Sequence, residues 1–145
     1  MKLFDLHCDT LTETLKKKKS LLDGSLPLSD SPYEEWVQFF AVFIHDNQRG
    51  EEVWRFFLRS VEAFYSACAL YSDRVCRVND LDDSSVSSCC RGILSIEGGA
   101  ALGGKLEHLE EAYALGVRMM TLTWNRDCEL GSGILSSIDR GLSEF

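Results

Sequence analysis

Nine consecutive residues, Trp36-Val37-Gln38-Phe39-Phe40-Ala41-Val42-Phe43-Ile44, contain a single polar side chain. An element with one wet face would break such a run with polar residues at a regular period, so this segment predicts a strand buried on both faces. Strands of that kind belong to parallel sheets with helices laid over them. The remaining chain must therefore supply neighbouring strands and covering helices.

It does so in alternation. Residues 2–8 read as a first strand and Thr10 to Lys19 as a helix, with Leu11 and Leu15 on one side and Lys16 to Lys19 complementing the dipole of its last turn. Residues 20–35 form a connecting loop punctuated by Asp23-Gly24, Pro27 and Pro32. Beyond the apolar run, Val53, Phe57, Val61, Phe64, Cys68 and Tyr71 recur at spacings of three and four, which predicts a long amphipathic helix over Glu51 to Tyr71. Asp73 to Val78 fits either a short strand or an extended connection, and 79–88 is a polar surface segment. A strand over 92–97 ends on Glu97-Gly98-Gly99. A helix then carries Leu102, Leu106, Leu109 and Tyr113 on one stripe, with Gly116 as its C-terminal cap and His108 off the stripe, at the surface. Val117 to Thr123 is the next strand, followed by Trp124-Asn125 and a Gly- and Ser-rich loop over 131–137.

This order predicts an α/β fold with parallel strands. It contains about four strand–helix units, whereas a closed eight-stranded barrel takes about 250 residues. The 145 residues suit one domain with no internal boundary, and 45% hydrophobic with 26% charged residues excludes a disordered chain. Fifteen basic residues against twenty-three acidic ones, a net charge of −8, disfavour nucleic acid and anionic membranes as partners. No apolar run approaches the ~20 residues of a membrane span, and no leader precedes the first strand, so a cytoplasmic protein is expected. The six cysteines, Cys8, Cys68, Cys76, Cys89, Cys90 and Cys128, form no Cys-x-x-Cys, and free buried thiols are expected.

Two stretches carry chemistry. In Asp5-Leu6-His7-Cys8-Asp9, strand alternation would put Asp5, His7 and Asp9 on one side. Grouped carboxylates are costly to bury unless something positive compensates them, and a divalent metal does so, since imidazole and carboxylate both ligate zinc. The plainer alternative is a His and an Asp bonded to backbone and water. In Ser95-Ile96-Glu97-Gly98-Gly99, a short apolar strand delivers a carboxylate to its C-terminal end, followed by glycines that admit close approach. His45 and Asp46 close the second strand, where a barrel enzyme places polar groups, although a loop histidine that contacts solvent or caps the following helix accounts better for the first.

Asp5-Leu6-His7-Cys8-Asp9-Thr10, Val37-Gln38-Phe39-Phe40-Ala41-Val42, Ser95-Ile96-Glu97-Gly98-Gly99, Leu115-Gly116-Val117-Arg118 and Leu122-Thr123-Trp124-Asn125 follow one another as in the membrane (renal) dipeptidase family, peptidase family M19. The chain resembles the amino-terminal half of that family. The resemblance implies a partial (β/α)8 TIM-like barrel and a di-zinc metallopeptidase that hydrolyses dipeptides. It implies that His7 and Asp9 bind one zinc and that Glu97 bridges two, which would lower the pKa of a shared water and stabilise the oxyanion that forms at the amide. It places the histidines of the second zinc beyond residue 145, so this chain alone would hold an incomplete, inactive site. Trp124 stands where the animal enzymes have a substrate-contacting histidine, and Asn125 offers a donor to a substrate carbonyl. Two other readings remain: another metal-dependent barrel amidohydrolase, or a non-catalytic half-barrel module whose open edges are covered by a partner or by a second copy as a homo-oligomer.

Overall fold

The computed structural model describes residues 1–80 and 90–145. Cys89 and residues 81–88 of the predicted polar segment lie outside the described residues. Five strands, β1 (Lys2–Asp5), β2 (Glu35–Phe43), β3 (Val75–Arg77), β4 (Cys90–Glu97) and β5 (Val117–Thr121), make one sheet in which every pairing is parallel. β1 pairs with β2 and β2 with β4. The other edge of β4 is shared: β3 takes Cys90 to Gly92 and β5 takes Leu94 to Glu97. Asp73 to Val78, which fits either a strand or a connection by sequence, thus contains a short strand, giving five strands among the described residues where four were expected.

The apolar run behaves as its composition demands. β2 is buried from Trp36 to Val42. Phe40 and Val42 pack with Leu94 and Ile96 of β4 against the helices, while Val37 and Phe39 cluster with Ile93 and Val78. The one polar side chain within the buried run, Gln38, is fully buried and fully occupied. Trp36 Nε1 donates to its Oε1 at 3.2 Å, and its Nε2 donates to Asp5 Oδ2 at 3.0 Å and to the Phe39 carbonyl at 3.3 Å. A buried amide with both ends satisfied costs little, so the strand tolerates it.

Among the described residues three α-helices pack on the sheet: α1 (Thr10–Lys16), α2 (Glu51–Leu70) and α3 (Glu107–Ala114). α1 stops short of the predicted Lys19 because Lys18 turns left-handed, with φ 52°. Lys18 N–H then bonds the Leu15 carbonyl and Lys19 N–H the Thr14 carbonyl, which closes the helix as a Schellman motif. α2 buries Val53, Trp54, Phe57, Val61 and Phe64 at the predicted spacings, so its aromatic stripe is core.

The third helix corrects the sequence reading. Left-handed Gly103 and Gly104, at φ 59° and 73°, separate a short 3-10 turn over Gly99–Leu102 from α3. Leu102 is therefore on a different element from the rest of the expected stripe. Leu106, Leu109 and Tyr113 are exposed, and the buried positions of α3 are His108 and Ala112. His108, expected at the surface, stacks on Trp54 of α2 with ring centroids 4.0 Å apart and planes 7° from parallel. Its Nδ1 lies 2.7 Å from the Leu102 carbonyl, which can only accept, so the ring donates from Nδ1. A flat aromatic partner and a hydrogen bond to the Leu102 carbonyl, which also accepts from Lys105 N–H at 3.2 Å, outweigh leucine burial in setting the rotation of this helix. His108→Ala is expected to lose both contacts and cost ~2 kcal/mol, read as a lower urea midpoint with an unchanged m-value.

Beyond β5 the chain is irregular. Gly116 has φ 90° and donates to the Tyr113 carbonyl at 3.0 Å, in the predicted role of helix terminator. Isolated bridges join Cys128 to Gly131 and Gly131 to Leu142. The described helices include none long and apolar enough to cross a membrane.

Candidate metal centre

β1 ends at Asp5, so the predicted alternation through residue 9 does not hold. The ladder with β2 breaks after the Asp5–Gln38 pair and touches again where Ala41 N–H donates to the Cys8 carbonyl at 2.9 Å. Residues 6 and 7 are thrown out of the ladder, and His7 reaches the rim at the C-terminal ends of the strands. Asp5 does not accompany it. One of its oxygens accepts from Gln38, and the other accepts from the His7 backbone N–H at 3.2 Å. It shapes the turn from below.

Asp9 occupies the N-cap position of α1, where a carboxylate normally accepts from the first free N–H groups. Its side chain makes no such bond. Thr12 Oγ1 instead donates to the Asp9 carbonyl at 3.1 Å, and the carboxylate turns toward His7. An unused cap is a small sacrifice of helix stability, about 1 kcal/mol, that leaves an anion at the rim.

Glu97 arrives from β4, two strands away from β1. Gly98, with φ 100°, donates its N–H to Thr121 Oγ1 at 2.9 Å, and Gly99 N–H donates to the Leu122 carbonyl at 3.1 Å. The turn that follows Glu97 is thereby pinned to the end of β5. A Cβ on Gly99 would stand 2.5 Å from that Leu122 carbonyl, so the expected close approach is one of backbone on backbone.

The three side chains meet. His7 Nε2 lies 3.6 Å from Asp9 Oδ2 and 3.5 Å from Glu97 Oε2, and one ligand atom from each falls within 4.8 Å of the others. Zinc bonds of 2.0–2.1 Å in a tetrahedron set ligand atoms about 3.3 Å apart, so one imidazole nitrogen and two carboxylate oxygens at these separations fit a divalent cation with small adjustments. Burial pushes the Glu97 carboxyl above its ordinary range, and Asp9 adds to the rise while His7 opposes it. Cys8, between the two rim residues, is different. Burial raises its thiol to about 12 despite hydrogen bonds from Thr10, so in the metal-free protein it stays a neutral thiol. Cys8 and Cys128 are free thiols, both half-buried.

Of the other predicted site residues, Trp124 stands close by. Its ring centroid is 4.7 Å from Phe43, the residue in register with Glu97, and its Cβ is 4.0 Å from where a Gly98 Cβ would be. His45 joins it at 6.0 Å. Asn125 takes part through its backbone, accepting from Leu135 N–H at 2.6 Å. Asp46 Oδ1 accepts from Arg126 N–H at 3.3 Å. The link joins residues 80 apart in the chain, and no local pattern in the sequence announces it.

A family model described as membrane dipeptidase, peptidase family M19, matches residues 1–145. The chain belongs to the membrane dipeptidase family. Among curated relatives of the family, human dipeptidase 3 is 29% identical over 90 residues, which is 61% of this chain and 18% of that protein. Among solved structures, the metallopeptidase dipeptidase AC of family M19 superposes with a TM-score of 0.75 at 20% identity, over 92% of this chain and 46% of the other. An amidohydrolase from Pseudomonas aeruginosa gives 0.63 at 17% identity, over 74% and 32%. The chain thus spans less than half the length of these proteins, and its sheet is a partial version of a barrel enzyme's fold. Family membership points to a metal-dependent hydrolase.

Proposed function

We propose that this chain supplies the first metal-binding strands of a di-zinc dipeptidase whose site is completed by further residues. The observation that carries the reading is the convergence of His7, Asp9 and Glu97 from β1, the start of α1 and the end of β4. His7 presents an imidazole nitrogen, Asp9 a carboxylate released from its capping duty, and Glu97 a poorly solvated carboxylate whose charge a cation would compensate. Bound divalent cations at such a site activate water near neutral pH and polarise an amide carbonyl. The chain's own contribution is placement. The pinned Gly98-Gly99 turn fixes Glu97, and the bulge at residues 6 and 7 fixes His7. Trp124, backed by Phe43, walls one side, where it would press on a substrate side chain while Asn125 borders the same edge.

The deciding experiment loads the intact protein with zinc, measures metal stoichiometry and offers dipeptides beside tripeptides and cyclic amides. Hydrolysis confined to dipeptides, with two zinc ions per protein, is the expected result. Cleavage of cyclic amides instead would move the assignment to another amidohydrolase. Absence of bound metal would remove the reading altogether. Trp124→Ala is expected to raise KM about tenfold with kcat little changed, the pattern of lost substrate binding, measured by steady-state kinetics.

A further inference from the structure

Arg49, in the loop between β2 and α2, does something unusual for a half-exposed arginine: it spends its donors on backbone carbonyls. Nη1 donates to Asp46 at 2.8 Å and to Gln48 at 2.6 Å, and Nη2 donates to Asp127 at 2.5 Å. Nε faces Glu129 Oε2 at 3.9 Å, an oxygen that is buried and has no hydrogen-bond partner among the described residues. The Asp46 carboxylate makes a parallel link to Arg126 N–H. The loop after β2 is thus tied to the loop after β5, across the end of β4 that carries Glu97.

Trp124 lies on the tied segment. β5 has ended at Thr121, so no ladder hydrogen bond fixes the backbone at 124. The indole keeps its place against Phe43 and His45 through the position of its loop, and that loop is anchored on the far side of Trp124 by Arg49. A planar guanidinium is suited to this task, since its fork of fixed N–H groups reaches several carbonyls at once where an ammonium reaches one direction at a time.

We propose that Arg49 is a positioning residue: it clamps the Asp127 and Glu129 segment to the β2 loop, and so holds Trp124 against Phe43 and His45 beside the cation cluster. The clamp stands on the geometry alone, whereas its catalytic consequence rests on the reading of Trp124 as a substrate-contacting side chain. Arg49 makes no contact with His7, Asp9 or Glu97. Its removal therefore loosens substrate binding and leaves the chemical step close to intact.

The test uses the intact protein labelled with 5-fluorotryptophan. Trp36, Trp54 and Trp124 each contribute a fluorine resonance, and the variants Trp36→Phe, Trp54→Phe and Trp124→Phe assign them. In Arg49→Met, the Trp124 resonance shifts or broadens while those of Trp36 and Trp54 stay, and KM for a dipeptide rises about tenfold with kcat within about threefold. Arg49→Lys keeps a charge facing Glu129 without the fork, and gives a smaller shift in the same direction. An unmoved Trp124 resonance in Arg49→Met overturns the clamp, whatever the kinetics. A moved resonance with unchanged KM overturns its link to substrate. If the wild-type protein hydrolyses no dipeptide, the proposed function fails while the fluorine spectrum still decides the clamp. Should Arg49→Met not fold, the Arg49→Lys spectrum decides it in the same way.

Discussion

Glu97→Gln is expected to lower kcat/KM of the intact, zinc-loaded protein by at least about a thousandfold, ~4 kcal/mol of transition-state stabilisation, and to weaken zinc binding by ~100-fold or more. The amide keeps the size of the carboxylate and one acceptor oxygen but none of its charge, so the loss is electrostatic and not steric. In the metal-free protein the same substitution should act in the opposite direction. The Glu97 side chain is only 19% exposed, and burial holds its carboxyl above its ordinary value near 4.5. The folded state then binds this proton more tightly than the unfolded state, so the carboxylate's contribution to stability falls as pH rises from about that ordinary value through the raised one. Above that window the protein carries a poorly solvated charge with no cation to compensate it. Glu97→Gln removes the penalty. Thermal melts in chelator at neutral pH should place the variant at or above wild type, and the gap should close below pH 4.5. Melts in zinc should reverse the order, because binding to the folded state alone stabilises by mass action. A metal-free variant that melts well below wild type would show that Glu97 is a structural carboxylate and that no cation belongs beside it.

The position of Glu97 at the rim of the sheet was legible in the sequence. A carboxylate at the end of an apolar strand, followed by two glycines, has few structural uses, and the residue's chemistry and its place in the strand point the same way. His7 and Asp9 were legible for a reason that was partly wrong. Strict alternation groups them with Asp5, whereas the bulge separates Asp5 from them and Asp5 serves the buried Gln38 amide instead. A period-2 pattern carries no record of a ladder that breaks and resumes. The long helix α2 follows from the regular period of its apolar residues and the doubly buried β2 from a run almost without polar breaks, both of them local features of the sequence. α3 does not, since its rotation is decided by one stacking partner on another element and by the Leu102 carbonyl, neither of which is encoded within its own residues. Arg49 is the limiting case. Its partners Asp127 and Glu129 lie far along the chain, and no local pattern distinguishes an arginine that clamps from one that is solvated.

Phe64→Ala is expected to be among the most damaging single changes to the fold, costing ~3–5 kcal/mol. The side chain is fully buried on α2, with its ring 5.2 Å from that of Phe40 on β2, and truncation leaves a cavity in the layer that joins helix to sheet. Gly92 on β4 lies beneath the same ring. A Cβ there would stand 2.7 Å from Phe64 Cζ and 3.1 Å from Phe40 Cε2, so Gly92→Ala overpacks the layer and should cost ~1–3 kcal/mol by itself. Together the two changes should cost less than their sum, with a coupling of ~1 kcal/mol or more, because the added methyl enters the space that the ring vacates. Urea denaturation of the two single variants, the double variant and the wild type measures that coupling, and strict additivity would mean that Gly92 is small for a reason other than Phe64. The cycle reaches the site as well. β4 carries Gly92 near its start and Glu97 at its end, so a strand pushed away from α2 by the lone Gly92→Ala methyl displaces the carboxylate relative to His7 and Asp9. Zinc affinity should therefore fall in Gly92→Ala and recover in the double variant, although the double variant is less stable than wild type. A metal affinity that tracked overall stability instead would separate the two layers and leave the site indifferent to how closely the helix sits on the sheet.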